Sequence, residues 1–215
     1  MSDLGSEHPS RQRLLAATED LIAEGGVAAI STRKISERAR TAMSQITYHF
    51  GGLDRLLHAA MEDNAGAVTT RRVVGLSALD AGAKPVDLID AFFRPIWMSS
   101  VWSNQTYAAL VVQAIYRHAD PGTQGRVDAI LDKGRSAFFA RMSKFVPSLG
   151  RETLERRVVM LMASAFSVIP QSDSWLLFRG AGKVEQDILR AEFIHFACAA
   201  LAAPPEASHG DRKAQ

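Results

Sequence analysis

The chain holds one cysteine, Cys198, among its 215 residues. A lone thiol excludes an internal disulfide framework and any zinc site built on cysteines. Its setting in an Ala-rich apolar run fits a small core residue better than a reactive thiol. The six histidines, at positions 8, 49, 58, 118, 195 and 209, show no metal-ligand spacing. His195 reads as a packed or interface residue. No metal and no cofactor is expected. The N-terminal MSDLGSEHPSRQR lacks the apolar stretch of a signal peptide. No apolar run reaches the roughly 18 residues of a membrane-spanning helix. A soluble cytoplasmic protein is expected. Net charge is also scarce: 25 Lys plus Arg against 23 Asp plus Glu leaves +2, so any basic patch must be local. Catalytic signatures are missing too. There is no Gly-rich phosphate loop, no Gly-x-Ser-x-Gly elbow and no His-Glu-x-x-His. Asp87 and Asp90 share a helix face, an acid spacing common on solvated helices. An enzyme is therefore the least favoured of three readings.

What the chain does have is helical periodicity. Apolar residues make up 47%, enough for a substantial core. They recur at three and four rather than alternating. Leu14, Leu15, Thr18, Leu21 and Ile22 form one face of a first helix, which Gly25-Gly26 stops. Ser31 or Thr32 can cap a second helix ending near Ala39. A short third helix spans about Met43 to His49, and Gly51-Gly52 separates it from a long fourth, from Leu53 to about Val74. Further helices are expected at about 85–102, 104–118, 123–146, 150–168 and 183–202, with Pro95 kinking or dividing the first of these. The polar tail from Pro204 is expected to fray. The fold class is all-α. Residues 1–52 form a three-helix N-terminal domain, and the long helix opens a helical domain over 53–203. Residues 204–215 form the tail.

The stretch STRKISERARTAMSQITYHF, from Ser31 to Phe50, reads as helix, short turn, short helix, the helix-turn-helix arrangement. Its first helix would cross a DNA backbone while the second enters the major groove. Arg33, Lys34, Arg38 and Arg40 face only Glu37, a local charge of +3 suited to phosphates. Ser44, Gln45 and Thr47 offer donors and acceptors to base edges or phosphates, and glutamine is a good bidentate partner for adenine. Tyr48 and His49 can donate to phosphate oxygens. Ile35, Ala39, Ile46 and Phe50 are spaced to pack the two helices together. Taken singly, each polar side chain is more often a solvated one; the weight lies in the pattern.

That pattern, from about Arg11 to Leu57, resembles the TetR family of bacterial transcriptional regulators. LLAATEDLIAEGGVAAIS, TRKISERA and SQITYHFGGLDRLL carry the resemblance, the Tyr-His-Phe triplet most specifically. It implies that Thr32 caps the second helix, and that Arg33 reaches a phosphate or a guanine edge. It further implies that Ser44, Gln45 and Thr47 read bases with Met43 touching a thymine methyl, and that Tyr48 and His49 clamp phosphates. The sequence departs from the family at Arg40, where glycine is usual in the turn, at Thr41 and at Ser44. It departs again at Leu53, where lysine is common; either that phosphate contact is lost and affinity is lower, or Arg55 substitutes for it.

The remaining helices resemble the family only in number. The family implies that this region binds an effector and dimerises through the last two helices. Phe92, Phe93, Trp97, Trp102, Tyr107, Phe138 and Phe166 are candidates to line a cavity for a largely apolar small molecule, although aromatics at helical spacing are more often core. Asn104, Gln113 and Tyr116 are candidate polar contacts. Leu154, Val158, Leu161, Met162 and Ala165 form one stripe, widened by Val159 and Phe166. Ile188, Ala191, His195 and Ala199 form another, with Leu189, Phe193, Phe196 and Ala200 opposite. Helices apolar on two sides need two packing partners, which predicts a homodimer. The function expected is a ligand-responsive repressor binding a pseudo-palindromic double-stranded DNA operator. The alternative is a DNA-binding protein of the same fold controlled by a protein partner.

Overall fold

The computed structural model describes residues 9–25, 30–98, 116, 118–167 and 186–205. These form eight helices and no strand. They are α1 (Pro9–Gly25), α2 (Thr32–Ala39), α3 (Ser44–Phe50), α4 (Leu53–Ala78), α5 (Pro85–Met98), α6 (Pro121–Met142), α7 (Arg151–Ser167) and α8 (Gln186–Ala202). The expected elements that fall on described residues are present, and α4 runs one turn past Val74. Pro95 neither divides nor ends α5; it sits buried inside the helix. Its ring only removes the donor that Ala91 O would have used. The expected helix over 104–118 lies almost wholly outside the described residues.

Two apolar cores are built on one shared helix. The first joins Leu14, Leu15 and Leu21 of α1 to Ile35 and Ala39 of α2 and to Ile46 and Phe50 of α3. Leu56 and Ala60 of α4 complete it, so this core extends past residue 52. The second core holds Phe92, Phe93, Phe138, Leu154, Leu161, Phe193 and Leu201, among others, from α5 to α8. From α4, Val68 and Leu76 join that second core. At 26 residues, α4 is a rod about 39 Å long at 1.5 Å per residue.

Arginines close two helix ends whose last carbonyls would otherwise lack donors. Arg141 donates to Leu76 O, Leu79 O and Asp80 O, sealing α4. Arg157 donates to Ala200 O, Leu201 O, Ala203 O and Pro204 O, sealing α8. Asp120 caps α6, its carboxylate accepting from Thr123 N at 3.0 Å. No helix among the described residues is long and apolar enough to cross a membrane.

Candidate nucleic-acid interface and ligand cavity

The helix-turn-helix is set by local chemistry. The cap of α2 is Ser31, not Thr32: its backbone is extended and its hydroxyl accepts from Lys34 N at 3.2 Å. Thr32 falls one residue later, at the first helical position, and its side chain is exposed. The helix closes at Arg40, which adopts the left-handed conformation at φ 52° and ψ 51°. Arg40 N donates to Glu37 O and Thr41 N to Ser36 O, the paired bonds of a Schellman motif. Arg40 is the sole non-glycine with positive φ among the described residues. The chain thus keeps the usual turn and accepts the strain of a side chain there. At the far end of α3, Gly51 (φ 77°) and Gly52 (φ 142°) occupy backbone that side chains rarely adopt.

The turn presents α3 with two distinct faces. Ile46 and Phe50 are buried in the first core. Met43, Ser44, Thr47 and Tyr48 are exposed, Tyr48 to 77%, and Gln45 is half-buried. His49 is half-buried and edges onto the rings of Tyr48, at 4.9 Å, and Phe50, at 6.3 Å. Thr32 and Arg33 add exposed side chains from the start of α2.

Two of the four cations of α2 and its turn are engaged. Arg33 Nε donates to Glu37 at 2.8 Å, and Arg38 forks onto the Glu24 carboxylate at 2.7 and 2.6 Å. The hydrogen bond from Arg38 holds the Glu24 carboxyl below its ordinary range, and each arginine is pushed up by its acid. Arg38 therefore locks α2 to α1. Lys34 and Arg40 have no acid partner among the described residues. Leu53 packs against the first core. Arg55 is exposed and lies over the α3–α4 turn, with Nη1 3.0 Å from where a Cβ on Gly51 would sit.

The second site is a cavity of about 760 Å³ between α4, α5, α6 and α7. Its walls include Val68, Arg72, Phe92, Tyr116, Phe139 and Met162. Of the aromatic candidates, Phe92 alone reaches it among the described side chains. Phe93 is core, edge-on to Phe92 and Phe193. Trp97 is core as well, donating from Nε1 to Ala165 O at 3.1 Å and packing on Phe193. Phe138 stacks on the back of Phe92 at 4.4 Å. The physical reason is helix geometry: neighbours in sequence point about 100° apart, so one of each Phe pair faces the cavity and the other the core. Trp102, Tyr107, Asn104, Gln113 and the Phe166 side chain lie outside the described residues. Sequence reasoning missed Arg72, which occupies the buried stripe of α4 formed by Met61, Ala65, Val68 and Leu76. A cation at a stripe position of an amphipathic helix was the available signal.

The last two helices each carry an outward face. On α7, Val159 and Met160 are exposed while Leu154, Val158, Leu161 and Ala165 are buried. On α8, Ile188, Ala191, His195 and Ala199 are exposed, and Phe193 is buried. Phe196 belongs to the exposed face, 56% accessible, and not to the inner one. Among the described residues no group of three or more His, Cys, Asp or Glu is placed to hold a metal ion.

A packed three-helix unit that presents a short polar helix defines a helix-turn-helix domain. Residues 14–60 match the bacterial regulatory proteins of the tetR family, and this N-terminal domain is similar to theirs. A curated relative, the HTH-type transcriptional regulator BetI 1 of Chromohalobacter salexigens, is 34% identical over 82 residues, 36% of this chain. The match spans only 41% of that relative's length. The fold is shared with the fatty acid degradation regulator FadR of Bacillus halodurans at a TM-score of 0.64 and 13% identity, covering 93% of this chain and 98% of FadR. It is also shared with the multidrug binding protein EbrR, solved with imidazole, at a TM-score of 0.55 and 20% identity, covering 94% and 99%.

Proposed function

We propose that the protein is a DNA-binding transcriptional regulator that works as a homodimer, responds to a small molecule and acts as a repressor. It is not an enzyme on this reading. The observation that carries the proposal is the division of α3 into a buried face and an exposed polar one, held by a capped, arginine-locked α2. Gln45, Ser44 and Thr47 then read base edges, with Met43 against a thymine methyl. Thr32, Arg33, Tyr48 and His49 position the backbone. Arg33 must exchange Glu37 for phosphate, whereas Lys34 and Arg40 need exchange nothing.

The exposed apolar side chains Val159 and Met160 of α7 and Ile188 and Phe196 of α8 support pairing with a second copy, which would take them out of water. Two copies read two major grooves about 34–36 Å apart, or a multiple of that. Ligand control is supported by the cavity, whose wall shares α4 with the DNA-reading core, and by the role of EbrR, which has this fold. The working division is a reading domain that borrows the first turns of α4, an effector and dimerisation domain up to 203, and a tail from 204. Nuclease footprinting on DNA upstream of the protein's own gene tests the proposal. Two protected patches in a pseudo-palindrome are expected. No protection at a protein concentration that saturates random DNA would overturn it.

A further inference from the structure

Among the walls of the cavity one group stands in an unusual state. Arg72 is 2% exposed. Every other charged wall residue among those described has a polar partner. Arg135 pairs with Asp132 at 3.5 Å, Arg151 with Glu155, and Asp128 accepts from Tyr116 at 2.9 Å. Among the described residues Arg72 has only neutral acceptors: Phe92 O at 2.8 Å from Nε, and the Met162 sulfur at 3.6 Å from Nη2. Its guanidinium lies over the Phe92 ring, 4.2 Å from the centroid. A buried cation with no anion is costly, and native proteins keep such groups paired or in use. Burial, reinforced by the nearby charge of Arg135, pushes its pKa down to about 9, so the group is still charged at neutral pH.

A second feature is built around the same side chain. Gly134 sits buried in the middle of α6, where glycine costs roughly 1 kcal/mol relative to alanine. A Cβ there would lie 3.2 Å from Arg72 Cδ and 3.4 Å from Arg72 Cβ. The glycine makes room for the arginine stem to run along the cavity wall.

We propose that the effector is an amphipathic monocarboxylate, its carboxylate paired with Arg72 and its apolar body on Val68, Phe139 and Val158. This rests on the small-ligand reading above. With Nε taken by Phe92 O and one Nη2 hydrogen by the Met162 sulfur, Nη1 and the second Nη2 hydrogen remain, and they can meet the two oxygens of one planar carboxylate. A single unpaired cation suits a single negative charge, and the rest of the wall is chiefly apolar.

The test uses three probes with one body: 4-butylbenzoate, 4-butylbenzyl alcohol and protonated 4-butylbenzylamine, titrated calorimetrically into the full-length protein at pH 7. The benzoate should bind about ten- to a hundredfold tighter than the alcohol, the range of a charge-assisted contact, and the ammonium weakest. Arg72→Met should abolish that preference and leave alcohol affinity within about threefold, the uncertainty of such comparisons. Arg72→Lys should restore part of it. If Arg72→Met does not fold, the ranking on the unaltered protein and on Arg72→Lys decides. Alcohol or ammonium binding as tightly as the benzoate overturns the anionic assignment and leaves the cavity reading standing. Binding of none of the three, or binding unaffected by filling the cavity with Val68→Trp, overturns the small-ligand reading itself.

Discussion

The two regions joined by α4 treat charge in opposite ways. At the DNA-reading end, Arg33 and Arg38 are exposed and each is held by an acid, Glu37 and Glu24. In the cavity, Arg72 is buried and no acid among the described residues meets it. Exposed ion pairs are cheap to form and cheap to exchange, because water solvates whichever partner is released. On the proposed reading that suits Arg33, which trades Glu37 for a phosphate, while Arg38 keeps its lock on α1. A buried cation cannot make that trade with water, so its partner must come from a ligand or its cost must be carried by the fold. On the proposed reading, one chain keeps a reversible electrostatic surface on α2 and a selective electrostatic pocket beside α4.

The sharpest break of the comparison is in the core behind the cavity. Phe138 is fully buried and stacked on Phe92 without reaching the cavity. Phe138→Ala should cost about 3–5 kcal/mol of stability by denaturant unfolding. A loss of ligand affinity with stability intact would return Phe138 to the pocket.

At the DNA-reading end the expected effect is smaller. Gln45→Ala should lose about 1–3 kcal/mol on the footprinted operator and almost nothing on random DNA, read by fluorescence anisotropy. Tyr48→Phe should weaken both DNAs alike, because a phosphate contact carries no sequence. Equal losses on both DNAs for Gln45→Ala would show that it touches backbone and that the reading of α3 is off by a face.

Arg40→Gly separates strain from contact. Relieving the left-handed arginine should stabilise the protein by about 1 kcal/mol, measured by thermal unfolding. The same change should lower the salt slope of DNA binding by about one unit if Arg40 meets a phosphate. A stabler protein with an unchanged slope would show the arginine makes no phosphate contact.

The smallest effect is the pH signature of Arg72. Its folded pKa is lowered, to about 9, below the value of an ordinary guanidinium. Below that pH both folded and unfolded chains hold the proton, and the fold carries the cost of the buried charge. Above it the folded chain releases the proton first, so stability rises with pH through the folded pKa. Wild type should therefore gain on Arg72→Met between pH 8 and pH 10, seen as a change in the gap between their unfolding midpoints. A gap independent of pH would place the guanidinium in contact with water or with an acid.

The sequence revealed the two ends unequally, for a physical reason. From Ser31 to Phe50 the relevant spacing is local: cap, turn and alternating faces all lie within one helix-turn-helix, so periodicity and side-chain chemistry pointed to the same residues. Even there the choice between Ser31 and Thr32 as cap needed the backbone angles. In the cavity the information is tertiary. Phe92 and Phe93, or Phe138 and Phe139, are indistinguishable as neighbours in sequence, and only packing against α8 or α4 decides which one faces inward. Arg71 and Arg72 are likewise adjacent, one exposed and one buried. Composition favoured an apolar ligand because the aromatics were conspicuous, while the single cation on the inner stripe of α4 was not.

Coupling between the two ends is the central claim. Leu56 and Ala60 belong to the DNA-reading core, and Met61 and Val68 to the cavity wall, on one unbroken helix. On the proposed reading, ligand and operator alter each other's affinity by the same factor, commonly 5- to 150-fold. The direct measurement is the dissociation constant of 4-butylbenzoate with and without saturating operator, alongside that of operator with and without saturating benzoate. Equal ratios, each weakening binding at least about fivefold, are predicted. Ratios of one, with both ligands bound at once, would contradict the account.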